Sequence, residues 1–382
     1  MIGVLDTAFS TFFLLYMEKV LSADSLSKGI VAGGYFYGLL LSPFAVQICL
    51  NRNIRPANFS AFLFLLSALV LPISFLLTNT RSIAILFASC LMFSAASTPL
   101  ITEIYASNYK PSQRGILFSI SNMLKILGSM AAGYLIGNYL ELGLDRFSHV
   151  FIFYTVLLFL NSGILYSYPK TPLSKARANS IWNGVSALKH DSLFRITLIS
   201  WMIMGFGNLM LIPLRVEFLA NPKFGVSLSS SDIALYVVVI PSIARLIFSS
   251  IWGVLFDKMN FFLMRILVNS GFIIGMLAFF MTGSSVALSI GSILIGLSNA
   301  GGDVAWNLWV TKFAPPGQTS SYMAIHTFFT GLRGAIAPLL GFYISANFGF
   351  YPILIVSIIM IILASSILFN RRERSPKGMT KN

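Results

Sequence analysis

The run Ala300-Gly301-Gly302-Asp303-Val304-Ala305-Trp306-Asn307-Leu308-Trp309 sets a carboxylate, an indole and an amide close together. On a helix, positions 303, 306 and 307 share one face by three- and four-residue spacing. Such a face makes a wall for a polar or aromatic solute. The two glycines before it permit local bending or close helix approach. A carboxylate held away from water exchanges its proton as its surroundings change, so Asp303 is also a candidate proton-coupling group.

The cations that answer it are Lys125, Arg245 and Arg333, each deep in a long apolar stretch, with a second acid, Asp6, in the first stretch. Lys125 and Arg333 stand about 15 Å from the edge of a hydrocarbon layer roughly 30 Å thick, beyond the comfortable reach of their stems. An intramembrane charge costs about 2.5–3.5 kcal/mol and turns toward a cavity or a partner. Three uses stay open from sequence alone. Lys125 and Arg333 suit an anionic solute, or Asp303 or Asp6 neutralises them internally, or an ion pair fixes helix packing; Arg245 is a further candidate for transport, with no partner assigned. Arg215 and Glu217 are expected to pair with each other at the end of their segment.

Other chemistries find little support. His149, His190 and His326 fall in separate regions without metal-ligand spacing, and His326, alone on its segment, reads as a packing or hydrogen-bonding group. Cys49 and Cys90 lie far apart inside apolar stretches and suggest neither a disulfide framework nor a metal cluster. No nucleophile constellation points to an enzyme. No GxxxxGK[ST] loop is present, and no link is long enough for an ATPase domain. Neither a metal nor a cofactor is expected.

These side chains need elements to hold them, and composition says which. Of 382 residues, 56% are hydrophobic and 10% charged, with mean hydropathy +0.82. A soluble chain carries about 25% charged residues. Apolar stretches near twenty residues long predict twelve transmembrane helices, at about 1–17, 28–50, 57–78, 83–107, 114–138, 148–168, 194–219, 231–255, 261–282, 285–311, 319–345 and 349–369. The first is short, and an upstream turn would lengthen it. No cleavable signal peptide is evident, because Met1 leads straight into an apolar segment without a basic start.

Loop charges orient the bundle. One side receives Arg52, Arg55, Lys110, Arg114, Lys170, Lys175, Arg177, Lys189, Arg195, Lys258, Arg265, Lys312, Arg371, Arg372, Arg374, Lys377 and Lys381; the other receives Lys19, Lys28, Arg81, Arg146 and Lys223. The positive side is assigned to the cytoplasm, with both termini. The net charge of +14 is therefore a mark of topology and calls for no nucleic-acid partner.

The longest polar link, 169–193, divides a six-helix half (1–168) from a second (194–370), with a basic tail at 371–382. The halves echo one another. An offset of 205 residues lays Pro111 over Pro316, Gln113 over Gln318 and Thr98 over Asp303, though it also lays Glu103 over Leu308. Duplicated halves that rock about a shared site are a common plan for transporters. Glycines 33, 34 and 38, 128, 133 and 137, and 331, 334 and 341 allow close helix crossings, and Pro338 should kink its helix.

One loop carries a family signature. Gly253-Val254-Leu255-Phe256-Asp257-Lys258-Met259-Asn260 matches glycine-x-leucine-x-aspartate followed by a basic residue, the loop motif of the major facilitator superfamily. The equivalent stretch in the first half, Ala45 to Asn53, keeps only basic character. With twelve spans and a central loop, the whole chain resembles that superfamily. The resemblance implies an all-α bundle of two six-helix halves. It also implies secondary active transport of a small solute by alternating access, with Gly253, Asp257 and Lys258 in a cytoplasmic gate. Asp303, Trp306, Asn307, Arg333, Lys125, Asp6 and Arg245 are the expected solute or coupling residues, with a proton as candidate coupling ion. A monomer in the lipid of a bacterial inner membrane is the expected setting. A multidrug-type exporter and a non-transporting scaffold or sensor remain the rival uses.

Overall fold

In lipid a chain must satisfy its own backbone hydrogen bonds, and coiling is the local way to do so. The computed structural model describes residues 1–108, 114–168, 188–315 and 318–371. Among the described residues, ten helices are long and apolar enough to cross a membrane. They are α2 (Ser25–Asn51), α3 (Pro56–Leu76), α4 (Thr80–Tyr105), α6 (Leu144–Tyr166), α7 (Ser192–Ala220), α8 (Ser230–Lys258), α9 (Phe261–Met281), α10 (Ser285–Lys312), α11 (Ser321–Phe348) and α12 (Phe350–Phe369). Two further helical segments accompany them: α1 (residues 2–19) and α5 (Arg114–Leu140). The link 169–187, the tail 372–382 and the loop residues Pro111, Gln113 and Pro316 lie outside the described residues.

Helix starts follow local chemistry. Asp24, Asn79, Asp191, Asn260 and Ser284 cap α2, α4, α7, α9 and α10, each side chain accepting from a backbone N–H of the first turn. Pro56 opens α3, where its missing N–H costs nothing. Between α11 and α12 a single residue, Gly349, turns the chain at φ +85°. The Asp24 cap accepts from Ser27 N at 2.7 Å. Hydrogen bonding from Ser27, with help from Arg81, holds its carboxyl below the ordinary range. Asp24→Ala should cost about 1 kcal/mol in a denaturant titration of the purified protein.

Packing brings sequence-distant helices together in a regular way. In the first part of the chain α1 packs on α5, α2 on α4, and α3 on α6; in the second, α7 on α11, α8 on α10, and α9 on α12. Between the two sets, α2 lies along α11 and α5 along α8. Most of the expected glycines sit at close helix crossings, while Gly33 faces Tyr37 of its own helix. Gly34 and Gly38 face Ala88 and Met92 of α4, Gly331 and Gly334 face Leu40 and Phe36 of α2, and Gly133 and Gly137 face Val238 and Ala234 of α8. Pro338 is accommodated inside an α11 that runs on to Phe348.

Two irregularities were not legible in the sequence. Both α1 and α8 contain a π-helical turn, Ala8–Phe12 and Leu235–Val239, and the two turns meet between the sets. Aromatics are divided between the core and the outside, where Phe44, Phe62, Phe153 and Phe348 are exposed. Phe12, Phe13, Phe87, Phe147, Phe151, Phe194, Phe261, Phe262, Phe279 and Phe342 are fully buried, and Ile247, Val254, Ile355 and Ile359 also cover the outside.

Candidate functional site

α1, α5, α8 and α10 carry four of the expected charges into the middle of the bundle, and the structure resolves them into two ion pairs. Lys125 Nζ lies 2.7 Å from Asp6 Oδ2, joining α5 to α1. Arg245 donates to Asp303 Oδ2 from Nη2 at 2.5 Å and from Nε at 3.1 Å, joining α8 to α10. The pairs are themselves neighbours: the charges of Lys125 and Arg245, and of Asp6 and Arg245, act on one another across the α5–α8 contact. Four charges of alternating sign thus sum to zero.

Their side chains are 41%, 39%, 30% and 40% exposed for Lys125, Asp6, Arg245 and Asp303, so this interior is open to solvent rather than packed. Tyr35 of α2 stands beside Lys125, Asp6 and Thr98 of α4, and Thr98 Oγ1 donates to the Ala95 carbonyl. Phe9 packs on Tyr35 with centroids 5.3 Å apart. Acid, base, hydroxyl and ring face therefore surround one space, the equipment for gripping a small polar molecule by several groups at once.

Gly3 sets the geometry of the first pair. An added Cβ there would stand 1.8 Å from the Lys125 carbonyl oxygen, so α1 rests directly on the α5 backbone one turn from Asp6. Gly3→Val should force the helices apart and loosen the Asp6–Lys125 contact. We expect transport to fall at least about tenfold and stability by about 1–3 kcal/mol, the usual range for overpacking. Flux assays and thermal unfolding read the two effects.

The other expected residues are placed elsewhere. Arg333 does not meet Asp303 or Asp6; its Nη1 donates to the Trp201 carbonyl at 2.6 Å. Trp306 turns toward His326 of α11, ring centroids 5.4 Å apart, and Asn307 donates back to the Asp303 carbonyl of its own helix. The shared face of 303, 306 and 307 is thus spread over three tasks. Arg215 and Glu217 are not partners either. Arg215 donates to the Ile212 carbonyl and stacks over Phe279, because the two side chains leave α7 in different directions.

Glu217 belongs to a cluster that sequence reasoning missed. Lys28 Nζ lies 2.8 Å from Glu18 Oε2 and 2.9 Å from Glu217 Oε1, and also over the Phe342 ring. Asn221 donates to Glu18 at 2.6 Å, and Lys223 reaches Glu217 at 2.7 Å. Side chains of Lys28, Glu18 and Glu217 are only 8%, 9% and 4% exposed. The cluster ties α1 and α2 to α7 and closes the end of the bundle where α1 turns into α2. Lys19 to the Leu228 carbonyl and Glu141 to the Ser231 N–H add ties at that end. Lys28 looks like a loop charge in the sequence because it follows Ser25 and Ser27. The cap at Asp24 draws it inside the helix.

At the other end, where α8 turns into α9, the motif residues join no such seal among the described residues. Asp257 and Lys258 are exposed, and nothing lies within 4 Å of a Cβ built on Gly253. Among the described residues, Asp257 acts at a distance on Lys312, whose ammonium bonds the Phe256 carbonyl.

No curated protein matches the chain in sequence. A point-mutant form of the nucleoside transporter NupG superposes with TM-score 0.79 at 15% identity, over 97% of this chain and 96% of that one. The D-xylose-proton symporter gives 0.72 at 17%, over 96% and 95%. A bacterial homologue of the human lysosomal transporter Spinster, inward-facing and unoccupied, gives 0.70 at 13%, over 97% and 94%. These likenesses establish the fold. The sequence model of the Major Facilitator Superfamily matches residues 1–332 and again 201–381, and with charges placed inside a two-set helix bundle, the chain belongs to that superfamily of membrane transporters.

Proposed function

We propose that this transporter moves a small polar or zwitterionic solute through the space between the Asp6–Lys125 and Arg245–Asp303 pairs, with a proton as the coupling ion. The observation that carries the reading is the exposure of four mutually neutralising charges in mid-bundle. A solute bearing both signs can replace each partner in turn, so the charges are never left bare. A proton taken up by Asp303 would release Arg245 to the solute. The compensated pairs favour this class over a purely anionic solute. Folds shared with a nucleoside transporter and a xylose-proton symporter accord with it.

In this reading α1 to α12 are twelve spans in two halves, 1–168 and 194–370, joined by the basic 169–193 link, with the termini and the 371–382 tail in the cytoplasm. The pairing of α1 with α5, α2 with α4 and α3 with α6 returns six helices later, as two related halves require. The Lys28 cluster would be the closed outer gate and the free Asp257 loop the open cytoplasmic side, an inward-facing state. Opening the outer side would break the cluster and engage Asp257, Lys258 and Gly253.

Reconstituted vesicles test the function. A panel of nucleosides, sugars and amino acids is first screened by thermal stabilisation, and hits are then measured for flux with and without an imposed pH gradient. Accumulation that collapses with the gradient is expected. Identical flux in both conditions overturns proton coupling, and tolerance of Asp303→Asn in flux overturns the site.

A further inference from the structure

We infer that the second set of helices holds a buried anion site, separate from the central ion pairs, formed by Arg265 of α9, Arg333 and His326 of α11, and Trp309 of α10. Arg265 is 3% exposed, although as a sequence it counts among the loop charges. Its Nη2 reaches only the thioether of Met204 at 3.2 Å, its guanidinium lies 4.2 Å over the Trp201 ring, and Nη1 is buried without a partner. Arg333 spends Nη1 on the Trp201 carbonyl, and its Nε is likewise buried and unpartnered. The two guanidinium groups act on each other electrostatically and both act on His326. Neither has a carboxylate partner among the described residues: Asp303 is held by Arg245, and Asp191 faces Tyr322.

The surrounding donors are also unspent. His326 and Trp309 are completely buried, and His326 Nδ1 and Nε2, Trp309 Nε1 and Thr330 Oγ1 all lack a partner. His326 sits edge-on to Trp201 and Trp309, with centroids 5.3 and 5.2 Å away. At least one of its ring nitrogens carries a hydrogen in any protonation state, so it can donate without titrating. A buried guanidinium beside a half-buried one, with only a sulfur, a ring face and a carbonyl for company, is an incomplete arrangement, because an unpaired buried charge is strongly destabilising. A small anion supplies what is missing: countercharge, and acceptors for several donors at once.

Gly205 supports the same reading independently. An added Cβ there would lie 1.9 Å from Arg333 Nη1, so the chain clears its backbone to let this cation in. The aromatic walls restrict the ligand to a halide-sized ion or the carboxylate end of a larger molecule. Arg333 is half-buried and offers the approach from the middle of the bundle.

The test uses the purified full-length protein without any gradient, so its outcome does not depend on transport. Trp201, Trp306 and Trp309 surround His326 and report binding by their fluorescence. The protein is prepared in gluconate and titrated with chloride, then with acetate, at constant ionic strength. A saturable response to chloride is expected, weakened at least about tenfold in Arg265→Gln. Because removing that charge can unfold the chain, Arg265→Lys and His326→Gln are measured alongside, each expected to weaken binding with the fold retained. Acetate competing with chloride assigns a carboxylate ligand; chloride binding that acetate leaves untouched assigns an inorganic anion. A linear response to both ions, or an affinity unchanged in Arg265→Lys and His326→Gln, overturns the site.

Discussion

Asp303→Asn should reduce solute flux at least about a hundredfold, equivalent to about 2.7 kcal/mol. The carboxylate is the sole ion-pair partner of Arg245 among the described residues. Its removal leaves a guanidinium in mid-bundle with no countercharge, which costs about 3–5 kcal/mol in a dry core. The pair is 30% and 40% exposed, so water takes up part of that cost and the stability loss should fall toward about 1–2 kcal/mol. A double variant, Arg245→Gln with Asp303→Asn, separates the two effects. If the pair only fixes packing, neutralising both partners restores stability and flux together. If the pair handles solute, stability returns and flux does not. Thermal unfolding and vesicle flux on the two single variants and the double variant complete the cycle.

Lys28→Gln should have the next largest effect, and on conformation rather than chemistry. Among the described residues, Lys28 is the one cation bonded to both Glu18 and Glu217, which are buried, while Lys223 bonds Glu217 alone. Without it two carboxylates from α1 and α7 face each other in a poorly solvated space. Relief comes from separation, so α1 and α2 should move away from α7 at that end. In a background with Cys49 and Cys90 replaced, spin labels at Ser22 and Ser227 should show a longer mean distance than in the parent. Both positions border the cavity at this end, together with Glu18 and Lys28. Restoring the charge with Lys28→Arg should bring the short distance back. An unchanged distance in Lys28→Gln would mean that apolar contacts alone hold the end closed.

Much of the bundle was legible in the sequence because membrane helices advertise themselves by length and apolarity. Glycine spacing likewise marked α2, α5 and α11 as helices able to pack closely, without saying against which neighbours. The charged residues were found, but their partners were not. From sequence alone, Asp303 and Asp6 were equal candidates to neutralise Lys125 and Arg333. The structure instead gives Asp303 to Arg245, because α8 packs on α10 while Arg333 leans over Gly205 toward α7. Which helix faces which is a long-range property, and a single sequence carries little trace of it. Lys28 and Arg265 were misread for a more local reason. Each lies within a turn or two of a helix start, and the charge tally counts such residues with the loops. The cap at Asp24 begins α2 ahead of the expected span and carries Lys28 indoors, whereas α9 begins where expected and Arg265 turns inward from its second turn. The π-turns at Ala8–Phe12 and Leu235–Val239 had no sequence signal at all.

Alternating access about the central charges is the core of this account, and one labelling experiment tests it most directly. Thr98 stands beside Tyr35 in that space and is partly exposed. Thr98→Cys, in the background without Cys49 and Cys90, is exposed to a membrane-impermeant thiol reagent in right-side-out and in inverted vesicles. The account predicts modification only from the side where α8 turns into α9, and added modification from the opposite side once Lys28→Gln is introduced. Equal labelling from both sides in the parent, or labelling from the Lys28 side alone, would contradict it.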